Sequence, residues 1–247
     1  ILRNGVPLGY AEGISLFERV EIGFNIYYTF RDGESAWLYA QVLRLYRQLL
    51  GVTAFSVDPY QIGFENEEGI ESGAFWFYRK LGFRPVREDV MKLVREEERK
   101  AATHRGYRTP PEILRELAVG HMLFELPPSP RSHWDRFQVR NLGLAVQRRM
   151  ASRFGGDSAK VRSASSNRVA RALRVRLEEW KAHEQRAFEN LSLVLALIPD
   201  LARWSEEEKR AVARIARAKA GTDESRYLRL MQGHGRLRRE IIRLGSV

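Results

Sequence analysis

Residues 72–83 read Ser72-Gly73-Ala74-Phe75-Trp76-Phe77-Tyr78-Arg79-Lys80-Leu81-Gly82-Phe83. Four consecutive aromatic residues precede two basic ones, and Gly82 can adopt the left-handed conformation that ends many helices. The segment predicts a short aromatic helix over 73–81, followed by an extended piece over 83–86. Pro85 in that piece is suited to the edge of a sheet, where its missing N–H is tolerated.

The residues upstream of this helix alternate between strand and helix patterns. Apolar side chains recur at every second position within Val20–Phe30, which is typical of a strand, and Gly5–Ala11 predicts a preceding strand. Apolar residues at helical spacing from 37 to 49 predict a helix that stops at Gly51, and Val52–Val57 predicts another strand. The fold class predicted for residues 1–90 is therefore α+β, with a mixed sheet flanked by helices.

Helical patterns dominate after residue 90. We expect a helical extension over 91–154, a Gly/Ser-rich linker or loop over 155–167 and a basic α-helical region over 168–247. Apolar residues spaced by three and four from 168 to 198 predict one long helix. Ser205 followed by Glu208 is a capping box that predicts the start of another.

The string from Ala74 to Phe83 resembles the last signature segment of the GNAT family of N-acyltransferases. In that family an Ala precedes an apolar-Tyr pair on a helix, and Lys-Leu-Gly-Phe then enters a strand. The resemblance covers about a third of the chain, residues 4–90. It implies a GNAT-like sheet, acyl transfer from acetyl-CoA or another acyl-CoA to an amine, and Tyr78 as the general acid for the departing thiolate.

The resemblance also implies a loop that holds the diphosphate of the acyl-CoA, between a strand and a helix. The corresponding residues are Phe30, Arg31, Asp32, Gly33, Glu34, Ser35 and Ala36. Arg31 and Ala36 match the ends of the family pattern, whereas Glu34 stands where glycine is usual and Gly33 comes one position early. A carboxylate opposes phosphate binding at a helix N-terminus. Two alternatives follow: the loop is rearranged around Gly33, or the fold is retained without the cofactor.

Two titratable side chains are candidates for proton transfer. The phenol of Tyr78 has an ordinary pKa near 10 and can donate a proton at neutral pH; the alternative is that Tyr78 only packs in the core. Glu21, at the start of the second predicted strand, is the candidate general base. For Glu21 the alternative is a solvated charge beside a strand.

The composition excludes several classes of site. The 247 residues include no cysteine, so disulfides, thiolate metal sites and a cysteine nucleophile are absent. The five histidines lack the spacing of a sequence-encoded metal motif, and we predict no metal. We see neither a signal peptide nor an apolar run long enough to span a bilayer, and therefore predict a cytoplasmic protein without membrane contact.

The charge is unevenly distributed. Residues 1–90 carry 9 Lys and Arg against 12 Asp and Glu, net −3, whereas residues 91–247 carry 33 against 19, net +14. The basic part predicts an acidic partner or nucleic acid, against the alternative of solvated helix faces. Three functions remain open: an N-acyltransferase with an unidentified amine acceptor, a non-catalytic GNAT-like interaction module, and a nucleic-acid-associated protein.

Overall fold

The computed structural model describes residues 1–31, 33–127 and 133–246. The protein is α+β and divides into two compact units, Ile1–Arg131 and Ser132–Val247. The boundary predicted at residue 90 falls inside the first unit, because the sheet of that unit includes a strand at Met122–Glu125. Within the described ranges, no helix combines the length and the apolar character needed to cross a membrane.

The first unit is built on a five-stranded mixed sheet. Its strands follow the spatial order β3-β4-β5-β7-β6, with β4 and β5 parallel and all other neighbours antiparallel. A short separate hairpin, β1 with β2, precedes it. The strands are β1 (Leu2–Arg3), β2 (Val6–Pro7), β3 (Gly9–Leu16), β4 (Arg19–Ile26), β5 (Ala54–Val57), β6 (Arg84–Pro85) and β7 (Met122–Glu125).

The strand predicted over 20–30 is shorter than expected. After Ile26 the chain bends into a 3-10 turn, Tyr28–Phe30, in which the Phe30 N–H donates to the Tyr27 carbonyl. The aromatic side chains of Tyr27, Tyr28 and Phe30 are exposed. The aromatic residues after Ile26 fit a strand pattern, so the sequence predicted a longer strand. The backbone leaves the sheet at Ile26.

Five helices accompany the sheet: α1 (Ser35–Leu50), α2 (Glu67–Glu71), α3 (Ala74–Lys80), α4 (Glu88–Thr103) and α5 (Pro111–Leu117). The predicted helices at 37–49 and 73–81 are confirmed as α1 and α3. One sheet face packs against them in a continuous core, in which Val20 and Val57 meet Tyr39 of α1 and Phe75 and Tyr78 of α3. Burial of this kind contributes roughly 25 cal/mol per Å² of apolar area.

Strand β7 lay within the predicted helical extension. It has four residues, Met122-Leu123-Phe124-Glu125, too few for a clear alternating pattern. Pairing with neighbouring strands determines that this segment is a strand. All four residues have partners in β5, and two also have partners in β6. Met122 and Leu123 are buried by these neighbours.

The second unit is helical in the residues described. Its helices are α6 (Val139–Phe154), α7 (Ser158–Leu173), α8 (Ala182–Leu195), α9 (Glu206–Lys219), α10 (Glu224–Gln232) and α11 (Gly235–Gly245). The capping box at Ser205 and Glu208 is confirmed at the start of α9. Its core includes Phe188, Val212 and Leu228, each with no exposed area.

The linker predicted over 155–167 is wrong. Gly155 and Gly156 form the only turn there, with positive φ angles, and Asp157 then caps α7 by accepting a hydrogen bond from the Lys160 N–H. Small residues that suggested a loop instead allow close helix packing, since Ser165 and Ser166 are buried. The long helix predicted over 168–198 is also wrong, because α7 ends at Leu173 and Arg174 is left-handed with φ of 57°.

Candidate active site

Strands β4 and β5 separate after three residue pairs. They pair from Arg19 opposite Ala54 to Glu21 opposite Ser56, after which β5 ends at Val57 while β4 continues to Ile26. The chain after β5 turns at Asp58, whose carboxylate accepts a hydrogen bond of 2.9 Å from the Tyr60 N–H. This turn leaves a cleft beside the second half of β4.

The side chain of Gln61 lies in this cleft. Its Oε1 accepts a hydrogen bond of 3.2 Å from the main-chain N–H of Phe24 and one of 3.4 Å from the hydroxyl of Tyr78. A carbonyl oxygen is therefore held between a strand amide and a phenol. Two donors of this kind are suited to polarising a carbonyl group.

A cavity of 540 Å³ surrounds these groups. It is lined by β4, the segment after β5, the entry to α1, and helices α2 and α3, and it includes Phe24, Arg31, Ser35, Gln61 and Tyr78. This volume is in the range of small-molecule binding sites. The structure thus brings Tyr78 together with Arg31 and Ser35 of the predicted diphosphate loop.

Tyr78 belongs both to the core and to this cavity. Its side chain is 3% exposed, and its ring meets that of Tyr39 edge-on at a centroid distance of 5.4 Å. Burial raises the pKa of Tyr78 above its usual value. The phenol is therefore protonated at neutral pH and has a proton to donate.

The guanidinium of Arg31 already has two partners within the first unit. Its Nε donates to the Ile26 carbonyl at 2.8 Å, and its Nη2 forms an ion pair of 2.6 Å with Glu68 of α2. Phe30 is exposed in the preceding turn, and Gly33 has a φ of 87° that favours glycine. Asp32 lies outside the described residues.

Glu34 occupies the position before α1 but does not cap it with its side chain. Its carboxylate forms an exposed ion pair of 3.0 Å with Arg3. Ser35 and Ala36 begin the helix, and none of the described side chains caps this end. Among the residues that the structure describes, the first-turn N–H groups of α1 therefore have no side-chain cap, a common setting for anion binding.

Glu21 does not line the cavity. It is in register with Ser56 at the last pair of β4 and β5, and its carboxylate lies 3.0 Å from Arg19 Nη2 and 3.5 Å from His121 Nε2. The Ser56 hydroxyl also donates to it at 3.5 Å. The hydrogen bond from His121, supported by the charge of Arg19, holds the pKa of Glu21 below its usual value despite its burial.

Asp58 completes this polar cluster, with its Oδ2 atom 3.7 Å from His121 Nε2. Glu21, Asp58 and His121 present three potential metal-ligating atoms within 4.8 Å of one another. The prediction of no metal rested on histidine spacing, which cannot detect residues assembled from three separate segments. Arg19 already supplies a positive charge to the Glu21 carboxylate, so a cation would compete with it.

Sequence reasoning missed Gln61, Asp58 and His121. Asp58 directly follows β5, Gln61 lies in the 3-10 turn after it, and His121 directly precedes β7. Their proximity to the site depends on how the strands pair. Comparison with known proteins adds no relative: no family model, no curated protein and no solved structure matches the chain.

Proposed function

We propose that the first unit is an acyl-CoA-dependent N-acyltransferase. The observation that carries the proposal is the Gln61 amide oxygen, which accepts hydrogen bonds from both Phe24 N–H and Tyr78 O–H inside the cavity. A thioester carbonyl has the same acceptor chemistry and would take the place of the Gln61 oxygen. The resemblance of residues 74–83 to GNAT enzymes supports the same assignment.

The acyl donor supplies an activated carbonyl, and the protein supplies position and protons. The Phe24 N–H donates to the carbonyl oxygen, and its hydrogen bond strengthens as negative charge develops there. As the C–N bond forms and the C–S bond breaks, Tyr78 gives its proton to the leaving sulfur. The proton of the attacking amine passes to solvent, because Glu21, the predicted base, does not line the cavity.

The entry to α1 is the proposed site for the diphosphate. Arg31 contributes positive charge, Gly33 allows the turn, and the N–H groups of Ser35 and Ala36 lie in the first turn of the helix. The ion pair with Arg3 neutralises Glu34 in part, which reduces its repulsion of a phosphate.

A second function, a non-catalytic interaction module, is favoured by the state of the loop. Arg31 is already bound to Glu68 and to the Ile26 carbonyl, and Glu34 stands where the family has glycine. In that case the fold persists and the cavity binds no acyl-CoA.

Isothermal titration of acetyl-CoA into the full chain distinguishes the two functions. We expect saturable binding to the wild type and tighter binding to Gln61→Ala, because this variant removes the internal acceptor that competes for Phe24 N–H. Gln48→Ala, an exposed position on α1, is the matched control and should bind like the wild type. Absence of heat from wild type, Gln61→Ala and Glu34→Gly together would reject the acyltransferase and leave the interaction module.

A further inference from the structure

The basic charge of the protein belongs to the second unit. Residues 132–247 carry 25 Lys and Arg against 13 Asp and Glu, net +12, whereas residues 1–131 carry 17 against 18, net −1. The proposed acyltransferase site gives no reason for this difference, because all of its residues lie in the first unit.

Within the second unit the excess is concentrated on two adjoining helices. Helices α6 and α7 contain seven Arg and one Lys and no Asp or Glu, whereas α8, α9, α10 and α11 each contain at least one Glu. We call α6 and α7, with the turn at Gly155 and Gly156 between them, the basic hairpin. The two helices pack against each other.

Three arginines of the basic hairpin come close together. The pKa of Arg149 is lowered, first by burial and then by the positive charges of Arg168 and Arg153. The Nε atom of Arg149 is buried and has no hydrogen-bond partner in the part of the chain that the structure describes. Like charges near one another raise the free energy of the fold, and an anion bound beside them lowers it.

Some other arginines of the second unit are paired with acids. Arg174 pairs with Glu206, and Arg236 pairs with both Asp200 and Glu208. Arg149, Arg153 and Arg168 form no ion pair within the described residues, and the last two are exposed. The basic hairpin therefore presents guanidinium groups that can accept external counter-charges.

We infer that the basic hairpin binds the phosphate backbone of nucleic acid. Guanidinium groups match phosphate in a planar, two-pronged geometry, and a nucleic acid carries phosphates densely enough to meet the basic hairpin, whose one acid, Asp157, caps α7 and pairs with Lys160. Among the described residues of this unit, Val139 is the only exposed large hydrophobic side chain. A membrane-binding helix needs an exposed apolar face, and base stacking needs exposed aromatic rings. The contact is therefore electrostatic and independent of sequence.

Fluorescence anisotropy with a labelled duplex of about 20 base pairs, at salt concentrations between roughly 50 and 200 mM, tests the inference. The double variant Arg153→Ala/Arg168→Ala should bind about tenfold more weakly than wild type and lower the salt slope by about 2. The matched control Arg210→Ala/Arg214→Ala removes the same charge from exposed positions on α9 and should stay close to wild type.

Two results would overturn the inference. One is an equal effect of the two double variants, which would show that only net charge matters. The other is equally tight binding of polyglutamate or of anionic phospholipid vesicles at matched charge. Arg153→Gln/Arg168→Gln repeats the test with longer side chains, and thermal unfolding by circular dichroism verifies that each variant is folded. Gln61→Ala should leave duplex binding unchanged, so this result is independent of the acyl-CoA experiment.

Discussion

The Nε2 atom of His121, just before β7, lies 3.5 Å from the Glu21 carboxylate on β4. The two residues are a hundred positions apart in the chain. They meet because β4 pairs with β5 and β5 pairs with β7. Together with Arg19 and Ser56, this contact gives Glu21 a charged and hydrogen-bonded environment at the point where the cleft begins.

The Glu21–His121 contact predicts a pH-dependent contribution to stability. The folded-state pKa of Glu21 is depressed, so its contribution is present above the ordinary value of 4.5 and is lost as pH falls through the folded pKa. We expect Glu21→Gln to lower the free energy of unfolding by about 1 kcal/mol at neutral pH. Urea titrations at neutral and acidic pH measure the difference, which should shrink in acid. A difference that persists unchanged there would contradict this assignment.

Two neighbouring tyrosines should respond differently to loss of their hydroxyl groups. The Tyr39 hydroxyl is buried and has no hydrogen-bond partner among the described residues, so Tyr39→Phe should stabilise the protein by about 1 kcal/mol. Tyr78→Phe loses the bond to Gln61 and the proposed proton donor, and should reduce acyl transfer by roughly 10² or more. Thermal unfolding and a thiol-release assay measure the two effects. Equal transfer rates for Tyr78→Phe and wild type would remove Tyr78 from the mechanism.

The ion pair between Arg3 and Glu34 should control acetyl-CoA affinity. Glu34→Gly removes a negative charge beside the proposed diphosphate site and should tighten binding by roughly threefold to tenfold, less at high salt. Arg3→Ala leaves that charge unpaired and should weaken binding. Glu34→Gln removes the charge but keeps a side chain, so it distinguishes the effect of the charge from that of glycine's backbone flexibility. Calorimetric titration of all three variants provides the measurement, and a common affinity would place the diphosphate elsewhere.

Two glycines of the second unit should give opposite results on replacement by alanine. A Cβ at Gly245 would collide with the ring of Phe137, so Gly245→Ala should destabilise by about 1–3 kcal/mol. Gly143 lies within α6 with no heavy atom close to an added Cβ, so Gly143→Ala should stabilise by roughly 0.5–1 kcal/mol. Chemical unfolding of the two variants measures both changes. Destabilisation by Gly143→Ala would show that α6 is not helical at that position.

Helices were predicted correctly where the signal lies in neighbouring residues of the sequence. Helices α1 and α3 follow from apolar spacing and from their glycine ends, and the capping box at Ser205 marks α9. Sequence reasoning failed at α7, where buried serines have the composition of a loop, and at β7, which is ordered by its neighbours.

The same distinction applies to the candidate site. Tyr78, Arg31 and Ser35 belong to recognisable segments, and the structure places them around one cavity. Gln61, Asp58 and His121 carry no local signal. Their roles depend on where β4 and β5 part and on which segment returns beside them, and this information is contained in strand pairing rather than in spacing.

Strands β4 and β5 share only three residue pairs, while β3 and β4 share eight. In mechanical terms the sheet consists of two ribbons, one formed by β3 and β4 and the other by β5, β7 and β6. The three β4–β5 residue pairs, here called the seam, join them. A change of twist between the ribbons alters the width of the cleft without breaking a ladder hydrogen bond outside that seam. A wider cleft is opposed by the three residue pairs of this seam and by the hydrogen bond from Phe24 N–H to Gln61, while each ribbon keeps its own register.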